Sequence, residues 1–179
     1  MRNFKTQFML TAITALLATG PSCGPKQSAA KPDGGFDLPM LATIRFGEPR
    51  ASRQLLNGFW AVENNSWRWT RHHFELVLMP PPQAFQAGAA LKFRFALPAG
   101  LIDRVHSVTL TASVGGVALP PQTYTEPGGC TFVREVPAAA FAGGGPVGVV
   151  FTTDKYFRPG EVEGRELAVV ASDIGLIAK

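Results

Sequence analysis

GFWAVENNSWRWTRHHFELVLMPPP, residues 58–82, is the stretch whose reading decides the fold. Gly58-Phe59-Trp60 opens an extended segment reaching Val62, and Glu63-Asn64-Asn65 reads as a turn, because asparagine tolerates positive φ at low cost. Ser66 to Thr70 then places Trp67 and Trp69 on one face and Arg68 and Thr70 on the other, the period of two that a strand imposes. After Arg71-His72 the alternation resumes, with Phe74, Leu76 and Leu78 opposite Glu75 and Val77. Pro80-Pro81-Pro82 ends strand pairing. The expectation is a meander of three strands, 58–62, 66–70 and 74–78, on which the remaining segments pack.

The same period recurs downstream. Ala90 to Leu97 turns Leu91, Phe93, Phe95 and Leu97 inward and Lys92 and Arg94 outward. Ser107 to Val114 repeats the scheme with Val108, Leu110, Ala112 and Val114, and Gly115-Gly116 closes a hairpin into Val117–Leu119. Pro120 to Gly129 reads as a loop, 130–136 and 147–152 as strands, 154–165 as a polar loop, and 166–171, extending toward Ile177, as the last strand. Upstream, Leu41–Phe46 alternates as a first strand, while Arg50–Asn57 fits a helical turn or extended chain equally. About nine short strands without a long helix or an internal repeat predict an all-β domain. Two antiparallel sheets packed face to face in a jelly-roll-like sandwich bury the apolar side of each strand.

The chain of 179 residues is long enough for one domain with a proper core. Charged residues make up 17% and apolar residues 46%, a balance that suits many short strands joined by turns. Removing Arg2 and Lys5 with a leader leaves fifteen of the seventeen basic residues against thirteen acidic ones, a charge of +2, which gives nucleic-acid binding no support.

Residues 1–22 have the form of an export signal: basic Arg2 and Lys5, an apolar run Phe8–Ala18 too short to cross a bilayer as a stable helix, then Thr19-Gly20-Pro21-Ser22 before Cys23. A conventional small-x-small cut at Ala18-Thr19-Gly20 would leave Pro21 at the new terminus. Gly20-Pro21-Ser22-Cys23-Gly24 resembles the lipobox of bacterial lipoproteins through Ser22 and Cys23, and departs from it at Gly20, where that family usually has Leu, and at Pro21. The resemblance implies that Cys23 receives the diacylglyceryl, palmitate-class anchor and becomes the new N-terminus. The chain is then held at a membrane of the cell envelope. Gly24, in place of an acidic residue, implies the outer membrane where a cell has two. Residues 23–37, rich in Gly, Pro, Lys and Ser, read as a tether spanning about 20 Å root-mean-square, and 38–179 as the sandwich domain.

Trp67-Arg68-Trp69-Thr70 with Leu76 and Leu78, Tyr156-Phe157-Arg158-Pro159-Gly160-Glu161, and Gly164–Val169 ending in Ile174-Gly175-Leu176 together resemble small bacterial β-sandwich modules that accompany glycosyltransferases and other glycan-assembly enzymes. The similarity runs over 57–178. It implies a carbohydrate-binding-module-like fold and carries no catalytic residues across.

Glycan binding needs flat aromatic faces with planar hydrogen-bonding groups at their rim. Trp60, Tyr124, Tyr156 and Phe157 are the candidate platforms, with Arg158, Glu161, Asn64, Asn65 and Arg68 as rim groups. Trp67 and Trp69, at strand spacing, serve a core before they serve a ligand. His72 and His73 are adjacent on extended chain, point to opposite faces and do not close on one metal ion, and His106 stands alone in a loop. Cys130 begins an apolar strand and reads as a structural thiol. Glu161, Glu163 and Glu166 beside Arg158 and Arg165 read as charge pairing that pins a loop. Nothing supplies a nucleophile elbow, a metal set or a carboxylate pair, so the expectation is a module that is not an enzyme and needs no cofactor. Its ligand is a glycan or a glycan-processing partner at the 156–161 rim. A structural envelope lipoprotein is the alternative, and a hydrolase the more distant one.

Overall fold

The structure is a computed structural model and describes residues 39–179; the leader, Cys23 and the tether lie outside the described residues. The described residues contain nine strands: β1 (Thr43–Arg45), β2 (Leu55–Glu63), β3 (Trp67–Leu78), β4 (Ala89–Leu97), β5 (Val108–Val114), β6 (Val117–Tyr124), β7 (Gly128–Val136), β8 (Val147–Thr153) and β9 (Val170–Ala178). Two short helices, α1 (Ala84–Ala87) and α2 (Ala99–Val105), flank β4, and 3-10 turns occupy Pro49–Arg53 and Ala138–Phe141. All pairings are antiparallel, in the order β6-β5-β8-β3-β9-β4-β7, with β1 added to β9 and β2 to β3. The fold is an all-β antiparallel sandwich.

β3 joins the two layers. Arg68 and Trp69 pair with Ala171 and Val170 of β9, whereas His73 to Leu78 pair with β8, so one strand of twelve residues passes from one layer into the other. This corrects the reading of three strands over 58–78. The polar pair Arg71-His72 marks the place where β3 changes neighbours, and its backbone stays extended there. Between the layers, Phe93 of β4 meets Phe151 of β8 at 4.9 Å between ring centroids and Phe74 of β3 at 5.8 Å, while Phe132 of β7 meets Phe151 at 6.0 Å. These four rings are fully buried, and each such pair adds about 0.5–1.5 kcal/mol to the area it removes from water.

The alternation read for 90–97 and 108–114 holds residue by residue, since Leu91, Phe93, Phe95, Leu97, Val108, Leu110, Ala112 and Val114 are all buried. Two other readings are corrected. Pro120 and Pro121 lie inside β6 rather than in a loop, at a shift in register opposite Leu110 to Ala112. Apart from β5, β6 has no ladder partner among the described residues, so the prolines sit at an edge where their missing N–H groups are tolerated. The last strand begins at Val170, four residues later than expected, because Leu167 is taken up by a separate bridge to Phe157 and Ala168 donates to Thr70. The 50–57 segment divides, its first part a 3-10 turn and its second the start of β2.

Side chains close the far edges of the sheet. Arg134 of β7 donates to the carbonyls of Pro120 at 2.8 Å and Pro121 at 2.9 Å, and the Tyr124 hydroxyl donates to the Thr131 carbonyl at 3.2 Å.

Candidate functional site

The strand registers gather the expected site residues at one end of the sandwich. Val108 opposes Tyr124, Leu110 opposes Thr153, Leu97 opposes Gly128 and Ala96 opposes Val170, so α2, the β6–β7 turn and the 154–169 loop all emerge on that side. The loop is pinned by its own bonds. The Phe157 and Leu167 backbones bond reciprocally, Asp154 accepts the Thr109 N–H at 2.7 Å, and Lys155 donates to the Val105 carbonyl and Ser107 hydroxyl, both at 3.2 Å.

Tyr156 is half-buried, and its ring stacks on His72 with centroids 4.5 Å apart and planes 15° off parallel. His72 is held in turn by Glu166, whose Oε1 accepts the His72 backbone N–H at 2.8 Å and lies 2.6 Å from Nδ1. Burial pushes the Glu166 carboxyl up, but the His72 N–H, the His72 ring and Arg71 together outweigh it and hold the group below its ordinary value. The backbone carbonyl of Glu166 accepts the Trp60 indole N–H at 2.7 Å, which ties Trp60 to the same cluster. Arg71 lies 4.9 Å above the Trp60 ring and Arg165 5.6 Å from it, and Arg165 also bridges Glu63 at 2.9 Å and Glu163.

Tyr156 lines an open cleft of about 230 Å³ with Arg104, Val105, Asp154, Lys155, Arg158 and Glu161. Glu161 accepts the Arg158 N–H at 2.6 Å and pairs with Arg104 at 2.8 Å, and these two donors hold its carboxyl below the ordinary value. Arg158 therefore meets Glu161 through its backbone, and the charge pairing that pins the loop is shared between Arg165, which pairs with Glu163 inside it, and Arg104 of α2, which pairs with Glu161. Phe157 is 8% exposed and belongs to the core, its ring covered by the Arg104 guanidinium at 4.9 Å.

Tyr124 lines a second cleft of about 380 Å³ with Glu126, Pro127, Cys130 and Thr131, its ring edge-on to Phe95 at 5.2 Å. Burial pushes the Tyr124 hydroxyl far above the ordinary phenol value, and burial likewise raises the half-buried Cys130 thiol, which disfavours its thiolate. Trp67 and Trp69 are both half-buried and meet edge to face at 6.2 Å, with only Trp69 packed against the core. Asn64 and Asn65 form the β2–β3 turn at φ 49° and 51°. His73 faces Glu75 and Thr152, away from the partner of His72, and His106 caps α2 at φ 62°.

Sequence reasoning missed His72 and Arg104. Arg104 reaches the Tyr156 carbonyl across 52 residues of chain, a contact that no local pattern announces. His72 became visible only once β3 ran unbroken through it.

No family model and no curated protein matches the chain. Among solved structures it is similar to the carbohydrate-binding module TmCBM27, studied for specific mannan recognition, at 10% identity and a TM-score of 0.40, covering 77% of this chain and 96% of that one. It is also similar to a Clostridium perfringens ZmpB structure containing CBM51-2 in complex with GlcNAc and INT domains, at 12% identity and a TM-score of 0.33. That match covers 77% of this chain and 28% of the other. At this degree of superposition neither supplies a residue-by-residue correspondence.

Proposed function

We propose that the protein is a non-catalytic binding module of the cell envelope that takes a glycan in the Tyr156 cleft. The observation that carries this is the Tyr156 ring itself. One face is backed by His72, and the ring lines an open cleft whose other walls carry Asp154, Arg158 and Glu161. A flat ring fixed from behind offers a platform for the C–H face of a sugar, and planar carboxylate and guanidinium groups match its hydroxyls. The reading as a non-catalytic module is supported by Glu161 and Glu166 being held below their ordinary values, since a glycosidase acid must instead be kept protonated. The lipobox-like junction supports an anchor at Cys23, with the outer membrane as its destination where two membranes exist.

Glycan-array binding by the full chain tests the reading. A signal that Tyr156→Ala abolishes, with the near-ultraviolet circular dichroism unchanged, is expected; an equal signal from the variant overturns it. Silence on the array with co-purification of an envelope complex would favour a protein partner instead. Mass spectrometry is expected to find an acylated Cys23, and an unacylated terminus downstream of it would remove the anchor.

A further inference from the structure

A third recess, sharing no lining residue with the Tyr156 cleft, lies at the outer edge where β2 meets β3. It encloses about 300 Å³ and is lined chiefly by Ser52, Leu55, Asn57, Phe59, Arg68 and Arg71. Its shape follows from the way β2 pairs. The ladder with β3 shifts register three times between Leu55 and Val62: β2 carries the extra residue at the first and last shifts, and β3 carries the extra residues between Glu75 and Thr70, so the two strands part there. Gly58 makes the bend at φ 78°, packed so closely on β3 that a side chain there would meet the His73 carbonyl.

The chemistry of the walls is one-sided. Two guanidinium groups, a hydroxyl and a carboxamide line the recess, and no carboxylate does. Arg68 is fixed in place by donating from Nε to the Phe46 carbonyl at 2.9 Å, from Nη1 to the Trp60 carbonyl at 3.0 Å and from Nη2 to the Ser52 hydroxyl at 2.9 Å. Those three bonds use three of its five N–H donors, and none neutralises its charge. Burial alone shifts this group, downward, as expected of a cation without an anion beside it. Arg71 lies over Trp60, and the carboxylate it influences, Glu166, is already bound to His72. Phe59 and Leu55 give the recess an apolar wall.

We propose that this recess binds the acid group of a sugar acid or sugar sulfate, with Arg68 and Arg71 receiving the oxyanion and Phe59 and Leu55 receiving the ring. A prepositioned arginine presents paired donors that fit a carboxylate or sulfate, and a hydroxyl and an amide complete its hydration. The recess has the volume of about one sugar residue, at the small end of ligand sites. It is separate from the Tyr156 cleft and stands whether or not that cleft takes a neutral glycan.

Calorimetric titration of the full chain with glucuronate, glucose 6-sulfate and glucose tests it, beside inorganic sulfate and phosphatidylglycerol vesicles. The expected result is binding of one or both acidic sugars at least about tenfold tighter than glucose, weakened by added salt. Arg71→Gln or Ser52→Ala is expected to weaken it about tenfold with an unchanged melting temperature. Tyr156→Ala is expected to leave it intact, which separates this site from the glycan cleft. Equal binding of acidic and neutral sugars overturns the proposal, as does equal binding by wild type and Arg71→Gln. Free sulfate binding as well as the sugar sulfate would reduce the site to an adventitious ion only. Vesicle binding lost in Arg71→Gln, without sugar-acid binding, would reassign it to a membrane contact.

Discussion

Gly58→Ala isolates the feature that shapes the β2 edge, and Gly116→Ala supplies its internal control. The two glycines have nearly the same backbone angle, φ 78° and 81°, so a methyl group meets the same conformational penalty at each, about 1–2 kcal/mol. Their surroundings differ. At Gly116 nothing lies within 4 Å of the added carbon, whereas at Gly58 it would come 2.2 Å from the His73 carbonyl oxygen and 2.6 Å from the Phe74 Cα. Those are backbone atoms of β3, so relief requires β2 to move off its partner strand, a displacement costing about 1–3 kcal/mol more. Gly116→Ala is therefore expected to cost about 1–2 kcal/mol and Gly58→Ala about 2–5 kcal/mol. Urea unfolding followed by tryptophan fluorescence reads both, because Trp60, Trp67 and Trp69 all lie on β2 and β3. Equal losses in the two variants would refute the argument that close approach to β3, beyond backbone angle, demands glycine at 58.

Three further expectations follow from buried and charged groups. Thr153 is 2% exposed and its hydroxyl has no partner among the described residues, so Thr153→Val is expected to stabilise the fold by about 1 kcal/mol, read as a rise in the urea midpoint. Gln54 is buried and its amide satisfies the Leu41 N–H, the Leu41 carbonyl and the Val77 carbonyl; Gln54→Leu strands these groups and is expected to cost about 2–4 kcal/mol in the same assay. Glu161 and Glu166 both titrate in the folded chain below their ordinary value of 4.5, so the folded state binds fewer protons than the unfolded one in that range. Their contribution is present above pH 4.5 and lost as the pH falls through the depressed values. Glu166→Gln is expected to flatten the acid limb of a melting-temperature profile and leave its neutral region level.

The strands most open to sequence reading were those with one wet face. Leu91 to Leu97 and Val108 to Val114 alternate because Lys92, Arg94, Thr109, Thr111 and Ser113 face out, and that contrast is written in residue type. β3 was harder, since the residues where it changes neighbours are polar for a tertiary reason: His72 is needed by Glu166, ninety-four positions away. Pro120 and Pro121 looked like breakers because an edge position, which excuses a proline, is a property of strand order and not of local sequence. Tyr156, Arg158 and Glu161 could be named from the sequence, but the support that makes Tyr156 a fixed platform comes from His72 and Arg104 on distant elements.

The most direct test of the Tyr156 cleft as the glycan site is a nuclear magnetic resonance titration of the full chain with the glycan that binds best on the array. The account predicts amide shifts concentrated at Asp154–Glu161, with Arg104 and His72 following. Shifts confined to the outer sheet faces or to the Tyr124 cleft, with 154–161 unmoved, would contradict it.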